Sequence, residues 1–379
     1  MDIITGGAGN DIITVDSSRD IVLYLGGVSG GDDDVLIVAS AAVVSATGII
    51  SFTATSATQN NSYGAGNATL TAANGGNRTI SVAAATGSSG AFTLAGGDGQ
   101  DILTGGAGAD IITGAGGVDT IDGGGAVDTI TGGAGNDIIT GGAGNDIITV
   151  DSGTDTVTDL GGGGSGGDDD VVIVSSGAKL NATGVVDFSA TSATQNNATD
   201  AGSAVLAAAS GGSTMNVSAA TGSAVSFTLT GGAGADIITG STGADIITGG
   251  GGLDSLTGGT GNDIFNIDSA YDTITDLGGV AGGDTDVFVV AGVGLLNAIN
   301  IVSFTANNQS SNAGTATFTA KSSGDRTINL SAVTGSGTLF INGADGSDII
   351  VGSAQGDIIT GAGGDDTITP VFYYFFGCN

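Results

Sequence analysis

The sequence lacks histidine, glutamate and tryptophan, and its 379 residues include only one proline and one cysteine. Histidine and glutamate are the commonest general acids and bases, and zinc is usually held by histidine and cysteine. Catalysis by aspartate alone remains possible, but we expect a protein that is not an enzyme. The single Cys378 also excludes an internal disulfide framework.

Basic residues are scarce as well, with five against 38 acidic residues, all of them aspartate, which gives a net charge of −33. No basic stripe can follow a phosphate backbone, so we expect neither nucleic acid nor an anionic membrane surface as a partner. The uncharged stretch 35–52 has the length of a membrane helix. Its serine, threonine and glycine residues fit two β-strands and a turn better, so no membrane insertion is expected.

Glycine is abundant, with 75 residues, and 40% of the chain is hydrophobic. Acidic, glycine-rich chains are typically disordered. Here, however, the hydrophobic residues recur in register, as Asp-Ile-Ile-Thr again and again. An ordered chain of this charge requires a positive counter-charge.

The regular pattern is a nine-residue repeat, which we call a row, of the form G-G-x-G-x-D-x-U-x. Aspartate stands at place six and a large apolar residue, U, at place eight. Glycine at places one, two and four permits positive φ, so a six-residue turn can curl its carbonyl oxygens inward before a three-residue strand. Fourteen full rows occupy residues 6–14, 96–149, 231–266 and 343–369.

A longer repeat is superimposed on the rows, because the motif Asp-Ile-Ile-Thr-Val-Asp-Ser at 11–17 returns at 146–152 and, modified, at 263–269. The segments between the groups of rows, which we call inserts, are similar in length. We expect each insert to hold five or six short strands and little or no helix, arranged as a lateral sandwich or as wider coils of the same solenoid. The sequence predicts a partial roll at 1–14, inserts at 15–95, 150–230 and 267–342, rolls at 96–149, 231–266 and 343–369, and an aromatic tail at 370–379.

The aspartates at place six suggest a metal site. Two rows make one coil, so alternate rows stack about 4.8 Å apart. Turn carbonyls and two carboxylates then form a cage of roughly six oxygens, which selects Ca²⁺ over transition metals. The alternative is that aspartate only caps the turns. Stacked carboxylates without a counter-charge would repel each other, which favours the calcium site.

These rows resemble the RTX (repeats-in-toxin) family. The resemblance implies an all-β fold based on a parallel β-roll, several Ca²⁺ ions between alternate turns, and the type I secretion machinery as a partner. It implies the ligand pairs Asp101/Asp119, Asp110/Asp128, Asp119/Asp137, Asp128/Asp146, Asp236/Asp254, Asp245/Asp263 and Asp348/Asp366, with Asp11 and Asp357 as further row aspartates and Asp272 and Asp276 closing a roll.

Some rows depart from the family pattern, and we expect weaker sites there. Ala115, Ala126 and Ser241 take glycine places, and 352–355 keeps only its first glycine. The aspartate triplet 168–170 fits either a second calcium site or a solvated turn.

Three functions fit this sequence. The favoured one is an extracellular structural protein of a surface layer or filament, with copies of the chain joined head to tail between strands 2–5 and 366–369 into a homopolymer. The second is a spacer or ligand-binding region of a larger type I-secreted adhesin. The third is the accessory roll of a secreted enzyme, whose catalytic residues these 379 residues do not contain. The tail at 370–379 fits a cap, a secretion signal or a docking peptide.

Overall fold

The computed structural model describes residues 1–16, 19–26, 32–62, 67–88, 90–161, 168–199, 203–223, 225–268, 271–278 and 284–371. The aromatic tail beyond residue 371, with Cys378, lies outside these residues. The described residues form β-strands joined by turns and contain no helix. The strands pair in parallel, so the predicted all-β parallel β-roll is confirmed. The chain divides into two compact units, Met1–Ser203 and Ala204–Asn379.

The first unit contains a ladder of ten strands in the order β1-β3-β5-β8-β10-β12-β14-β16-β18-β21, a run of seven in the order β6-β9-β11-β13-β15-β17-β19, and a third ladder, β2-β4-β7. Its described strands are β1 (Ile3–Thr5), β2 (Ile12–Val15), β3 (Arg19–Leu23), β4 (Val35–Val38), β5 (Val43–Ile49), β6 (Ser51–Thr53), β7 (Gln59–Asn60), β8 (Ala68–Ala72), β9 (Thr79–Ser81), β10 (Thr93–Asp98), β11 (Ile102–Thr104), β12 (Ile111–Gly116), β13 (Thr120–Asp122), β14 (Thr129–Ala134), β15 (Ile138–Thr140), β16 (Ile147–Val150), β17 (Thr154–Val157), β18 (Val171–Val174), β19 (Lys179–Val185), β20 (Phe188–Ser189) and β21 (Gln195–Asn196).

The second unit is built in the same way, with runs β22-β24-β26-β28-β30-β33, β23-β25-β27-β29-β31-β34-β36-β38 and β32-β35-β37-β39. Its described strands are β22 (Ala204–Ala208), β23 (Thr214–Asn216), β24 (Thr228–Thr230), β25 (Ile237–Thr239), β26 (Ile246–Thr248), β27 (Ser255–Thr257), β28 (Ile264–Ile267), β29 (Tyr271–Ile274), β30 (Val287–Val290), β31 (Leu295–Ile301), β32 (Ser303–Thr305), β33 (Ser311–Asn312), β34 (Thr315–Ala320), β35 (Thr327–Asn329), β36 (Thr338–Asn342), β37 (Ile349–Val351), β38 (Asp357–Thr360) and β39 (Thr367–Thr369).

The period of nine sets the register of the rolls. Ile102 pairs with Thr120 and Thr120 with Ile138, each exactly two rows further along, while Ile111 pairs with Thr129 in the other sheet. Successive rows therefore alternate between two sheets, and one coil takes two rows. The short Ile- and Thr-rich strands suit this arrangement, because β-branched residues pack well on a pleated surface.

The core lies between the two sheets, where the place-eight side chains of successive rows form a column. In the roll at 96–149 this column is almost fully buried and consists of Leu103, Ile112, Ile121, Ile130, Ile139 and Ile148. Insert coils enclose larger side chains. Phe288 packs against Phe318, with ring centroids 5.2 Å apart, and against Phe304, at 6.0 Å. Place-seven and place-nine side chains point outward, because side chains alternate along a strand.

The inserts continue the solenoid as wider coils, which decides between the two arrangements that the sequence left open. Arg19 pairs with Val43, and Thr69 with Thr93, so one coil here takes 24 residues. The extra residues form an additional strand, as in the ladder β2-β4-β7. The division into rolls and inserts at the boundaries given above stays a prediction.

The uncharged stretch 35–52 contains β4, β5 and the start of β6. Among the described residues, no helix is long and apolar enough to cross a membrane.

Candidate calcium sites

The place-six aspartates are linked along each edge of the rolls by one repeated hydrogen bond. The backbone N–H of Asp101 donates to Oδ1 of Asp119 at 2.8 Å, and the N–H of Asp119 donates to Oδ1 of Asp137 at 2.8 Å. The same bond joins all seven predicted pairs, at 2.6–3.0 Å. One carboxylate oxygen of the later aspartate in each pair therefore binds the backbone of the preceding coil.

The second carboxylate oxygen is often left bare. In eight rows the Oδ2 atom is buried and has no hydrogen-bond partner among the described residues; the eight are Asp11, Asp101, Asp119, Asp128, Asp137, Asp146, Asp254 and Asp348. A buried carboxylate oxygen without a partner costs free energy unless a cation or a donor satisfies it. These atoms are therefore the strongest structural sign of a cation site.

Two turn conformations separate the bare oxygens from the satisfied ones. In what we call the closed turn, the place-two N–H donates to Oδ2 of the same row. It occurs from Gly106 to Asp110 at 2.7 Å, Gly232 to Asp236 at 2.7 Å, Ser241 to Asp245 at 2.6 Å and Ser353 to Asp357 at 2.6 Å. In the open turn, place two has positive φ and makes no such bond. Open turns have Gly7, Gly97, Ala115, Gly124, Gly133, Gly142, Gly250, Gly259, Ala344 and Ala362 at place two.

The residue at place six of the preceding stacked coil correlates with the conformation of the turn. The turn is open wherever that residue is aspartate or arginine. It is closed over Phe92, Phe227, Leu339 and Ser213. The rule has no exception in the rows of 96–149, 231–266 and 343–369. An open turn thus accompanies a charged neighbour, whereas a closed turn satisfies its own carboxylate.

Oxygen atoms from two stacked turns face the same small space. A Cβ atom built on Gly96 would lie 2.7 Å from Asp101 Oδ2 and 2.6 Å from the carbonyl oxygen of Gly114, which opens the row stacked above. A Cβ on Gly343 would likewise lie 2.6 Å from Asp348 Oδ2 and 2.6 Å from the Gly361 carbonyl. Glycine at place one therefore leaves room between a carboxylate and a carbonyl oxygen.

Burial raises the pKa values of several carboxyl groups in the rows. The pKa of Asp128 rises to about 8 because the group is desolvated, and the carboxylates of Asp110 and Asp146 add to the rise. The pKa of Asp110, in a closed turn, rises to about 6, because burial outweighs the N–H groups of Gly106 and Phe92 that counteract it. The pKa of Asp119, in an open turn, also rises to about 6. The stacked rows therefore bring together negative charge that the protein alone does not neutralise.

The predicted ligands differ in their surroundings. Thirteen of the sixteen are buried, while Asp11, Asp357 and Asp366 are half-buried. Asp272 continues a ladder by accepting the Asp254 N–H at 3.2 Å, and its Oδ2 is bare. Asp276 instead accepts the N–H groups of Gly258 and Gly259 with its two oxygens. Asp276 therefore shows no bare oxygen, which sets it apart from the ligand type expected of it.

The departures from the row pattern have unequal effects. Ala115 and Ala126 adopt the positive φ of the glycines they replace, at 81° and 77°. Ser241 and Ser353 belong to closed turns.

Asp155 is a candidate ligand that the prediction missed. It accepts the N–H of Asp137 at 3.0 Å, and its Oδ2 is buried with no hydrogen-bond partner among the residues that the structure describes. Its position 18 residues after Asp137 could have revealed it.

The aspartate triplet 168–170 behaves differently. Asp170 accepts the N–H groups of Asp146 and Gly161, at 2.9 and 2.8 Å, so both of its carboxylate oxygens bind backbone N–H groups. Asp34 and Asp286 repeat this arrangement in the other inserts.

Comparison with known families agrees with this geometry. The family model of the RTX calcium-binding nonapeptide repeat, spanning four copies, matches residues 1–27, 86–121, 95–130, 122–157, 230–265 and 341–369. The chain carries RTX calcium-binding repeats. The matches coincide with the groups of rows, and RTX nonapeptide repeats bind calcium ions. No curated protein matches the chain.

The structure fits calcium as the bound ion. No three acidic, histidine or cysteine side chains of the described residues cluster as a metal site, so carboxylates alone cannot complete a shell. Calcium takes six to eight oxygen ligands and accepts backbone carbonyls among them. The bare Oδ2 atoms and the place-one carbonyls supply such oxygens. The row aspartates with open turns are the residues that would hold calcium, and the bound ion would supply the missing positive charge.

Proposed function

We propose that this is a secreted structural protein whose calcium-loaded copies associate into an extracellular layer or filament. RTX repeat proteins are generally secreted, and the repeat itself is typically non-enzymatic. The proposal is consistent with the scarcity of catalytic residue types and with the three near-copies of the longer repeat.

The observation that carries the proposal is a column of exposed apolar side chains on each face of the roll at 96–149. Ile102 and Ile138 are 50% and 46% exposed on one sheet, with Thr120 paired between them. Ile111 and Ile147 are 39% and 37% exposed on the other sheet. Thr120 and Thr129 are exposed between the isoleucines and add methyl groups to the two columns. Exposed apolar patches commonly mark a contact surface.

A second copy of the chain is the occupant that best matches these columns, because its own columns have the same spacing. A molecule with a contact surface on each of two faces binds one copy on each, which gives an open assembly rather than a closed dimer. The net charge of −33 opposes such contacts until cations bind. Assembly should therefore require calcium.

Light scattering and negative-stain microscopy, with calcium and with chelator, test the proposal. We expect large particles in calcium only, and smaller particles for the variant Ile138→Thr/Ile147→Thr, which removes one isoleucine from each face. Thr120→Ser/Thr129→Ser changes the same columns without removing apolar residues and serves as control. Folded monomers of the unaltered chain at high protein and calcium concentration would contradict assembly. They would favour the alternative, a repeat or ligand-binding region of a larger type I-secreted adhesin.

A further inference from the structure

Two of the five basic residues occupy the place of an aspartate in the ladders. Thr79 pairs with Ile102, so Arg78 stands at place six beneath Asp101. Its backbone N–H donates to Asp101 Oδ1 at 2.7 Å, as a row aspartate would. In the second unit, Arg326 stands beneath Asp348 in the same way and donates to its Oδ1 at 2.8 Å. Both arginines thus lie in the turn that is stacked beneath the first row of a roll.

The guanidinium groups fold into their own turns. Nε of Arg78 donates to the carbonyl oxygen of Ala73, at place one, at 3.1 Å, and a terminal nitrogen donates to Gly75. The terminal nitrogens of Arg326 donate to the carbonyls of Ser323 and, at 3.4 Å, Asp325. A regular row brings only oxygens to this position, namely its carboxylate and its turn carbonyls. The two arginine turns bring a fixed cation to the carbonyls instead.

We propose that the guanidinium groups of Arg78 and Arg326 take the place of a calcium ion at the entry to two of the rolls. The proposal rests on calcium binding by the regular rows. In a regular turn, a cation must come from solution to join the carboxylate and carbonyl oxygens. In these two turns the cation is part of the chain, so no ion is needed there.

The rows stacked on the arginines behave like rows stacked on an aspartate. Above Arg78 the turn is open, with Gly97 at φ 105°, and Asp101 Oδ2 is bare. Above Arg326 it is also open, with Ala344 at φ 69°. Both rows therefore have the open turn that elsewhere accompanies an aspartate one coil earlier.

The remaining roll provides the comparison within the same chain. Ser213 stands beneath Asp236, and its N–H donates to Asp236 Oδ1 at 2.6 Å. The turn above it is closed, and the Ser213 hydroxyl is buried and has no hydrogen-bond partner within the described part of the chain. A neutral residue at this position therefore comes with a closed turn, whereas arginine comes with an open one. The rolls at 96–149 and 343–369 thus have a fixed positive charge beneath their first row, and the roll at 231–266 has a neutral serine there.

Counting bound calcium tests the proposal directly. Ala73 and Lys321 occupy place one of the two arginine turns, where a regular row has glycine. Ala73→Gly/Arg78→Asp therefore restores both the place-one glycine and the place-six carboxylate, and equilibrium dialysis with elemental analysis should find one more calcium ion per chain. Lys321→Gly/Arg326→Asp should do the same, and the two pairs of changes combined should bind two more. Ala73→Gly/Arg19→Asp carries its new carboxylate at an exposed position and should leave the count unaltered. An unaltered count in folded Ala73→Gly/Arg78→Asp overturns the proposal.

A second variant covers the outcome that the aspartate variants fail to fold. Ser213→Arg should supply a fixed cation beneath the roll at 231–266. The midpoint of calcium-induced folding, followed by circular dichroism, should then shift to a lower calcium concentration. Ser218→Arg adds the same charge at an exposed site of that insert and should shift the midpoint less. A midpoint that is unaltered or raised by Ser213→Arg overturns the proposal. Calcium binding by the unaltered chain is measured in the same experiments, so a failure of the underlying calcium sites is recognised separately.

Discussion

Oδ1 of Asp119 accepts the backbone N–H of Asp101 at 2.8 Å, while Oδ2 of the same carboxylate is buried and finds no hydrogen-bond partner in the described structure. One oxygen therefore builds the solenoid and the other remains for a cation. This division explains why the fold and the calcium sites cannot be separated. Each aspartate that orders the next coil also adds a buried negative charge, so the energy gained from the backbone bond is opposed until an ion binds.

Folding should consequently depend on calcium. The net charge of −33 opposes compaction, and binding free energy contributes directly to folding when the sites exist only in the folded chain. Extracellular calcium modules bind at about 10⁻⁴ to 10⁻³ M. A circular dichroism titration should show a cooperative gain of β-structure in this range. A complete β-spectrum in excess chelator would show that the sites are not needed for folding.

Open turns should bind calcium, whereas closed turns should bind less of it. Asp137 has a bare Oδ2 atom, whereas Asp357 accepts the Ser353 N–H at 2.6 Å and the Ser353 hydroxyl at 2.9 Å. Asp137→Ala should lose at least one bound ion, because it removes an unsatisfied oxygen from a complete turn. Asp357→Ala should lose fewer. Isothermal titration calorimetry measures both, and equal losses would mean that the turn conformation does not decide binding.

The period of nine predicted the rows and the two-row coil, because stacking at 18 residues follows from it, and the resemblance to the RTX family implied the aspartate pairs. The conformation of each turn could not be predicted in this way. It depends on the residue one coil earlier, and in the inserts that distance varies, from 23 residues between Arg78 and Asp101 to 22 between Arg326 and Asp348. The alternating pattern of the inserts is also the same in a sandwich and in a wider coil. Only the strand register distinguishes the two.

Replacing Ala115 with glycine should stabilise the folded protein. Its φ of 81° costs about 1–2 kcal/mol for a residue with a Cβ atom, whereas glycine adopts this conformation freely. The greater freedom of glycine in the unfolded chain offsets about 0.4–1 kcal/mol of the gain. Thermal unfolding in saturating calcium should therefore show Ala115→Gly to be more stable by about 0.5 kcal/mol. Ala107→Gly, at a turn position without positive φ, should be less stable than the parent; the same gain in both variants would rule out relief of strain.

The buried carboxyl groups should also make the calcium-free protein sensitive to pH. The pKa of Asp263 rises to about 8 and that of Asp146 to about 7, in both cases chiefly through burial and then through neighbouring carboxylates. The ordinary value for aspartate is 3.8. Between this value and about 8, the folded chain therefore binds more protons than the unfolded chain does. Stability must then fall as the pH rises through this interval.

We expect the calcium-free chain to have more β-structure and a higher unfolding temperature at pH 5 than at pH 8. Calcium should reverse the order, because it competes with protons for the same carboxylates and binds more tightly once they are ionised. Circular dichroism in chelator-treated buffers at the two pH values, with and without calcium, measures both effects. Asp128→Asn removes a carboxyl group with a pKa of about 8 and should reduce the pH dependence without calcium. A calcium-free chain that is more stable at pH 8 would show that burial of these groups does not control the fold.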